Sequence, residues 1–212
     1  MVKVRIINNP VKRHSMKLIL VRHGETIENI SKICQGQKIG GTLTKEGIQQ
    51  AKKLALRLKD EKIDKIYSSD LKRAKDTAKE IIKYHPKTEV EYTPALRERN
   101  WGIYECKKGE EITKAIGRKT DESNFTPEKG ESYAEMRKRI SKFINNLIKK
   151  EHNKTILLVT HGGPIMHLLL HLFQQNYEKH KKYMHHNCAL TILEINRKQR
   201  KILTLNCCKH LN

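Results

Sequence analysis

The sequence predicts an α/β protein, a three-layer α/β/α sandwich on a mostly parallel sheet with an antiparallel edge strand. Two apolar runs, Leu18-Ile19-Leu20-Val21 and Thr155 to Thr160, are nearly continuous, as strands covered on both faces must be. Segments with apolar residues at helical spacing alternate with short β-prone runs. Toward the end, Cys188 to Ile195 and Lys201 to Leu205 read as two strands joined by a short polar turn, which gives the antiparallel close.

Each element has a local reason. Residues 1–15 carry Lys3, Arg5, Lys12 and Arg13 without an acidic residue, and Val2, Val4 and Ile6 alternate as an edge strand would. Met16 fits a translation start, and the segment lacks the apolar stretch of a signal peptide, so 1–15 reads as a dispensable basic extension of one domain over 16–212. After the first strand, Thr44 is placed to cap a helix carrying Ile48, Ala51, Leu54, Ala55 and Leu58 on one face. Ile63 to Tyr67 is a second strand. Ser68-Ser69-Asp70 supplies cap residues for a second helix with Leu71, Ala74, Ala78, Ile81 and Ile82 inward. Glu89 to Tyr92 is a strand ended at Pro94.

From Leu96 to Gly130 the periodicity weakens, with Gly102, Gly109, Gly117, Pro127 and Gly130 as punctuation, so about 99–131 reads as a lid or insertion with a short helix. Ser132 to Lys150 is a strong helix whose stripe of Tyr133, Met136, Ile140, Phe143, Ile144, Leu147 and Ile148 reads as core. His161-Gly162-Gly163-Pro164 then turns the Thr155–Thr160 strand into another helix.

Composition bounds the function. The chain of 212 residues is long enough for one well-buried domain. No apolar stretch approaches the ~20 residues needed to span a bilayer, so no membrane association is expected. Cys34, Cys106, Cys188, Cys207 and Cys208 form no CxxC pair, and their odd count suits a reducing, cytoplasmic setting. The net charge of +21 favours anionic ligands. Its lysines are spread along the chain with no stacking or helix-turn-helix signature, so no specific nucleic-acid partner is expected, only salt-sensitive adhesion. A basic polyanion-binding protein is the reading of another class.

Candidate chemistry sits where strands end, the usual place for ligands in open α/β sheets. Arg22 and His23 follow the first strand, and His161 ends the Thr155–Thr160 strand. Arg73 falls in the first turn of the helix after Ser69, where a guanidinium and a helix N-terminus could jointly hold an anion. Glu98 lies in Leu96-Arg97-Glu98-Arg99-Asn100-Trp101-Gly102; packed against Trp101, it would be suited to deliver a proton. His167 and His171 are i and i+4 on a helix but lack a third ligand, so no metal site is expected.

Together these pieces resemble the histidine phosphatase superfamily, also called phosphoglycerate mutase-like, from about Met16 to the Asn187 region. The ordered set is Arg22-His23-Gly24-Glu25-Thr26 with Asn29, then Leu43-Thr44-x-x-Gly47, Ser69-x-Leu71-x-Arg73-Ala74-x-x-Thr77-Ala78, Leu96-Arg97-Glu98, Gly130-Glu131-Ser132 and Thr160-His161-Gly162-Gly163. The resemblance is to the phosphatase branch that includes fructose-2,6-bisphosphatase-like and broad-specificity enzymes. It implies a cofactor-free phosphatase acting on a small phosphorylated substrate, as a monomer or homodimer. It further implies that His23 attacks phosphorus and Glu98 serves as acid and then base. Arg22, Arg73 and a protonated His161 would surround the phosphoryl oxygens. Gly24 would leave room for the nucleophile, and Asn29, Gln35, Gly36 and Gly162 match substrate-side positions. Arg99 would hold a carboxylate or second phosphate. The Glu98–His161 interval is shorter than in the mutase branch, which favours hydrolysis over the alternative, a phosphoglycerate mutase. Tyr104-Glu105-Cys106 departs from the aromatic-Glu-Gly pattern of many relatives.

Overall fold

A computed structural model describes residues 15–38, 40–116, 125–196 and 198–212. Strand β1 (Met16–Arg22) leads through α1 (Ile27–Ile30) to α2 (Lys45–Leu58), β2 (Lys65–Ser69), α3 (Lys72–Ile82) and β3 (Glu89–Thr93). After the irregular region come α4 (Gly109–Ile116), α5 (Tyr133–Lys150), β4 (Thr155–Thr160), α6 (Gly162–Leu172), β5 (Leu190–Ile195) and β6 (Arg200–Cys207).

The six strands form one sheet in the order β3-β2-β4-β1-β5-β6. Pairs β3–β2, β2–β4 and β4–β1 are parallel, whereas β5 runs antiparallel to both β1 and β6. The strand opposed to its neighbours therefore lies one place in from the edge, because β6 turns back beside it. Successive strand residues point to opposite faces and sort the core into two halves. Leu18, Leu20, Ile156 and Leu158 pack with Met136, Ile140 and Ile144 of α5 and Leu168 and Leu169 of α6. Ile19, Val21, Leu157 and Val159 pack with Ala51, Leu54 and Leu58 of α2 and Ala74, Ala78 and Ile81 of α3. These two helical layers complete the sandwich expected from the sequence.

The expected caps are partly redistributed. Thr44 caps α2 as read, its side chain accepting the Gly47 N–H at 2.8 Å, and Ser132 forms a reciprocal capping box with Glu135 at the start of α5. Helix α3 differs: its N-cap is Leu71, with no side-chain cap bond. Ser69 and Asp70 are engaged elsewhere, Ser69 by His161 and Asp70 by a bidentate pair with Arg97.

The extension read over 1–15 lies outside the described residues except for Ser15, which is buried and donates to Glu194 at 3.1 Å. Of the region at about 99–131, residues 117–124, including Gly117, lie outside them too; the expected short helix is α4. No described helix is long and apolar enough to cross a membrane.

Candidate active site

The pairing register creates the site. Arg22 of β1 lies opposite Thr160 of β4, so the next residue of each parallel strand, His23 and His161, emerges at the same carboxyl edge. Their rings meet edge to face at 5.1 Å between centroids, and the backbone N–H of His23 donates to the Thr160 carbonyl at 3.0 Å. Both imidazoles are buried.

His23 is held in one tautomer. Nδ1 lies 2.8 Å from the carbonyl oxygen of its neighbour Gly24. A carbonyl can only accept, so Nδ1 carries the proton and the lone pair sits on Nε2. Burial, helped by Arg73 and then Arg22, holds this imidazole well below its ordinary value, so it is neutral at neutral pH. Gly24 has a packing reason of its own: a Cβ there would stand 2.6 Å from the Gly47 carbonyl oxygen. That close approach, with Gly24 N–H donating to Thr77 Oγ1 at 3.0 Å, fixes the loop to α2 and α3.

Arg73 reaches in from the first turn of α3. Its Nε donates to His161 Nδ1 at 3.1 Å, and its terminal nitrogens donate to the Gly36 and Gly40 carbonyls. On the other side, His161 Nε2 lies 2.8 Å from Ser69 Oγ. With Nδ1 accepting, the His161 proton is on Nε2 and points to Ser69. Burial, with Arg73 next, keeps the His161 pKa well below its ordinary value. The protonated His161 expected from the resemblance is therefore not what this environment favours; the positive charge comes from Arg73 and Arg22. Burial lowers Arg73 to about 10 against the opposing pull of Glu98, and it lowers Arg22 as well, so both are cations at neutral pH. Arg22 donates to the His185 carbonyl at 2.7 Å, while its buried Nε has no partner among the described residues. A Cβ on Gly162 would come within 3.6 Å of that Nε, ordinary contact that a larger side chain would crowd.

Glu98 sits above the start of α6. Its two carboxylate oxygens accept the backbone N–H groups of Arg99 at 2.9 Å and Gly163 at 3.2 Å. A Cβ on Gly163 would lie 2.2 Å from Glu98 Oε1, so a larger residue there would push the carboxylate aside. Trp101, expected beside Glu98, is faced by Arg99, whose guanidinium lies 4.3 Å from the Trp101 ring and 3.8 Å from the Tyr133 ring. Arg99 is 1% exposed and clasps the carbonyls of Glu131 and Phe125. It thus braces the irregular region, with Tyr133 as one of its walls, while its buried Nη1 has no hydrogen-bond partner among the described residues.

A sequence profile of the histidine phosphatase superfamily (branch 1) matches residues 18–208. The chain belongs to the histidine phosphatase superfamily. It is 34% identical over 188 residues to a broad-specificity phosphatase of Saccharomyces cerevisiae, an alignment spanning 84% of this chain and 79% of that one. To a metal-independent phosphoserine phosphatase of Arabidopsis thaliana it is 36% identical over 171 residues, spanning 77% and 71%. Among solved structures, a phosphoserine phosphatase mutant of Entamoeba histolytica in complex with phosphoserine superposes with a TM-score of 0.83 at 31% identity, covering 93% of this chain and all of that one.

On this histidine phosphatase scaffold the remaining predicted residues are placed beside the same edge or its loops. Gly36, at φ +51°, turns its carbonyl to Arg73. Gln35 is buried, its Oε1 without a partner among the described residues. Asn29 Oδ1 accepts from the Thr26 N–H and from Asn187 Nδ2. Asn187, which also donates to the His23 carbonyl at 3.0 Å, joins the site without a sequence signal, and Ser69, Thr77 and Gly163 join it beyond any site role the sequence assigns them. Ser69, Thr77 and Gly163 stand inside the quoted motifs, a signal that could have found them. Among the described residues no three His, Cys, Asp or Glu side chains form a metal-binding group; His171 faces Asn145 and His167 packs against Tyr133 and Tyr177.

Four buried histidines make stability pH-dependent. His167 and His185 are lowered to about 4, chiefly by burial, and His23 and His161 lie well below their ordinary value. An unfolded chain protonates its histidines near pH 6.5. Below that it binds more protons than the folded chain, and stability falls as pH falls, by about 1.4 kcal/mol per pH unit for each histidine still neutral in the fold. Urea unfolding is expected to show full stability above pH 7 and a marked loss by pH 5; an unchanged midpoint would contradict the burial of these rings.

Proposed function

We propose that this chain is a metal-independent phosphomonoester hydrolase that works through a phosphohistidine on small phosphorylated metabolites, sugar phosphates or phosphoglycerates, in the cytoplasm. The observation that carries this reading is the tautomer lock on His23. A neutral imidazole with its proton tied to the Gly24 carbonyl offers Nε2 as the nucleophile beside the half-buried Arg22 and the buried Arg73.

In the first step Nε2 bonds to phosphorus and the P–O ester bond breaks, with Glu98 giving its proton to the departing alkoxide. In the second, Glu98 takes a proton from water, which attacks phosphorus, releases inorganic phosphate and restores His23. Arg22 and Arg73 stabilise the charge that builds on the phosphoryl oxygens in both steps. The phosphatase names of the relatives in yeast and Arabidopsis support hydrolysis over phosphoryl return.

Phosphate release from p-nitrophenyl phosphate in EDTA is the test. Turnover is expected to persist at full rate, and activity that vanished with chelation would overturn the reading. A parallel incubation with 3-phosphoglycerate is expected to yield inorganic phosphate; 2-phosphoglycerate in its place would favour the mutase.

A further inference from the structure

We infer that Glu105 is a positioning residue for the phosphate clamp, acting on Arg73 through the loop at 36–38. The inference rests on the phosphatase reading above but concerns a residue to which that mechanism gives no task. Glu105 is 7% exposed and has no cation within ion-pair distance among the described residues. Backbone donors surround it instead: the Gln37 N–H at 2.8 Å and the Trp101 N–H at 3.1 Å on Oε1, and the Lys38 N–H at 2.6 Å on Oε2. Bonds from neutral donors to a buried carboxylate are stronger than ordinary ones, and removing the acceptor strands three donors.

The carboxylate fastens two loops that are far apart in sequence and functionally different. One carries Gly36, whose carbonyl receives Arg73 Nη2 at 2.8 Å. The other leads back to Glu98, and Gln37 Nε2 reaches it directly by donating to the Glu98 carbonyl at 2.8 Å. Gly36 accommodates the latch by having no side chain, since a Cβ there would stand 2.1 Å from Glu105 Oε1. The same two loops are joined beyond it: Cys106 N–H donates to the Cys34 carbonyl and Cys34 N–H to the Lys107 carbonyl. Cys106 accepts φ +72° to make this connection, a left-handed conformation unfavourable for a cysteine. Glu105 therefore sets where the Gly36 carbonyl stands, and hence where Arg73 points, relative to Glu98.

A double-mutant cycle read by calorimetric binding of inorganic phosphate tests this on the full chain. Glu105→Gln keeps the size of the side chain but replaces one acceptor oxygen with an amide that cannot receive the Lys38 N–H. It is expected to weaken phosphate binding roughly tenfold. In an Arg73→Lys background, where no guanidinium remains for the Gly36 carbonyl to hold, the same change is expected to cost less than about twofold. A tenfold loss in both backgrounds, or a lowered melting temperature with unchanged phosphate affinity, would overturn the inference. Should Glu105→Gln fail to fold, Gly36→Ala displaces the same carboxylate from the other side and must show the same dependence on Arg73; independence overturns the inference equally. A wild-type chain that neither binds phosphate nor hydrolyses an ester would overturn the phosphatase reading itself, whereas normal wild-type behaviour with insensitive variants removes only the latch.

Discussion

His23→Ala is expected to lower kcat/KM for phosphomonoester hydrolysis by on the order of 10⁴-fold or more, the scale on which covalent catalysts lose their nucleophile. Phosphate binding is expected to survive, because Arg22 and Arg73 are held by the His185, Gly36 and Gly40 carbonyls and not by His23. The distinction between lost chemistry and retained affinity is the informative part. Wild-type enzyme quenched during turnover should carry an acid-labile phosphoryl group that the variant lacks. The acidic limb of the wild-type rate should also fall well below pH 6.5, because burial and the two arginines keep His23 unprotonated there. Hydrolysis that survives in His23→Ala at an unchanged rate would remove the covalent mechanism.

What was legible in the sequence was whatever depends on residues near one another or on strand ends. The apolar runs at Leu18–Val21 and Thr155–Thr160 had no other sensible fate than a central sheet, and residues at their ends had to share an edge. Less legible were relations that arise only when the register is set. Nothing local says that Ser69, which accepts the Leu71 N–H at the start of α3, also meets an imidazole 92 positions away. The placement of Arg99 between Trp101 and Tyr133 likewise requires α5 to dock beside the loop. The glycines divide the same way. Gly24 was visible as a motif residue, while the Gly47 carbonyl that a Cβ there would meet lay on α2.

Glu98→Gln carries the second large effect, and its size is expected to depend on the leaving group. For an alkyl phosphate the departing alkoxide is a strong base and needs a proton, so losing the acid is expected to cost 10²- to 10⁴-fold, roughly, in kcat/KM. The substitution is nearly isosteric and keeps one oxygen for the Arg99 or Gly163 N–H, so the loss reports proton transfer more than misplacement. For p-nitrophenyl phosphate the leaving group departs as a stable anion, and the first step should be slowed far less. The second step still needs Glu98 to deprotonate water. The variant should therefore release about one equivalent of nitrophenol per active site in a rapid burst and then turn over slowly as the phosphohistidine accumulates. Rapid-mixing kinetics distinguish the cases: equal losses on both substrates with no burst would show that Glu98 orders the site without transferring a proton. A burst on the aryl ester beside a large loss on the alkyl ester would assign one carboxyl both transfers, because the leaving oxygen and the attacking water occupy the same face of phosphorus in turn, opposite His23 Nε2.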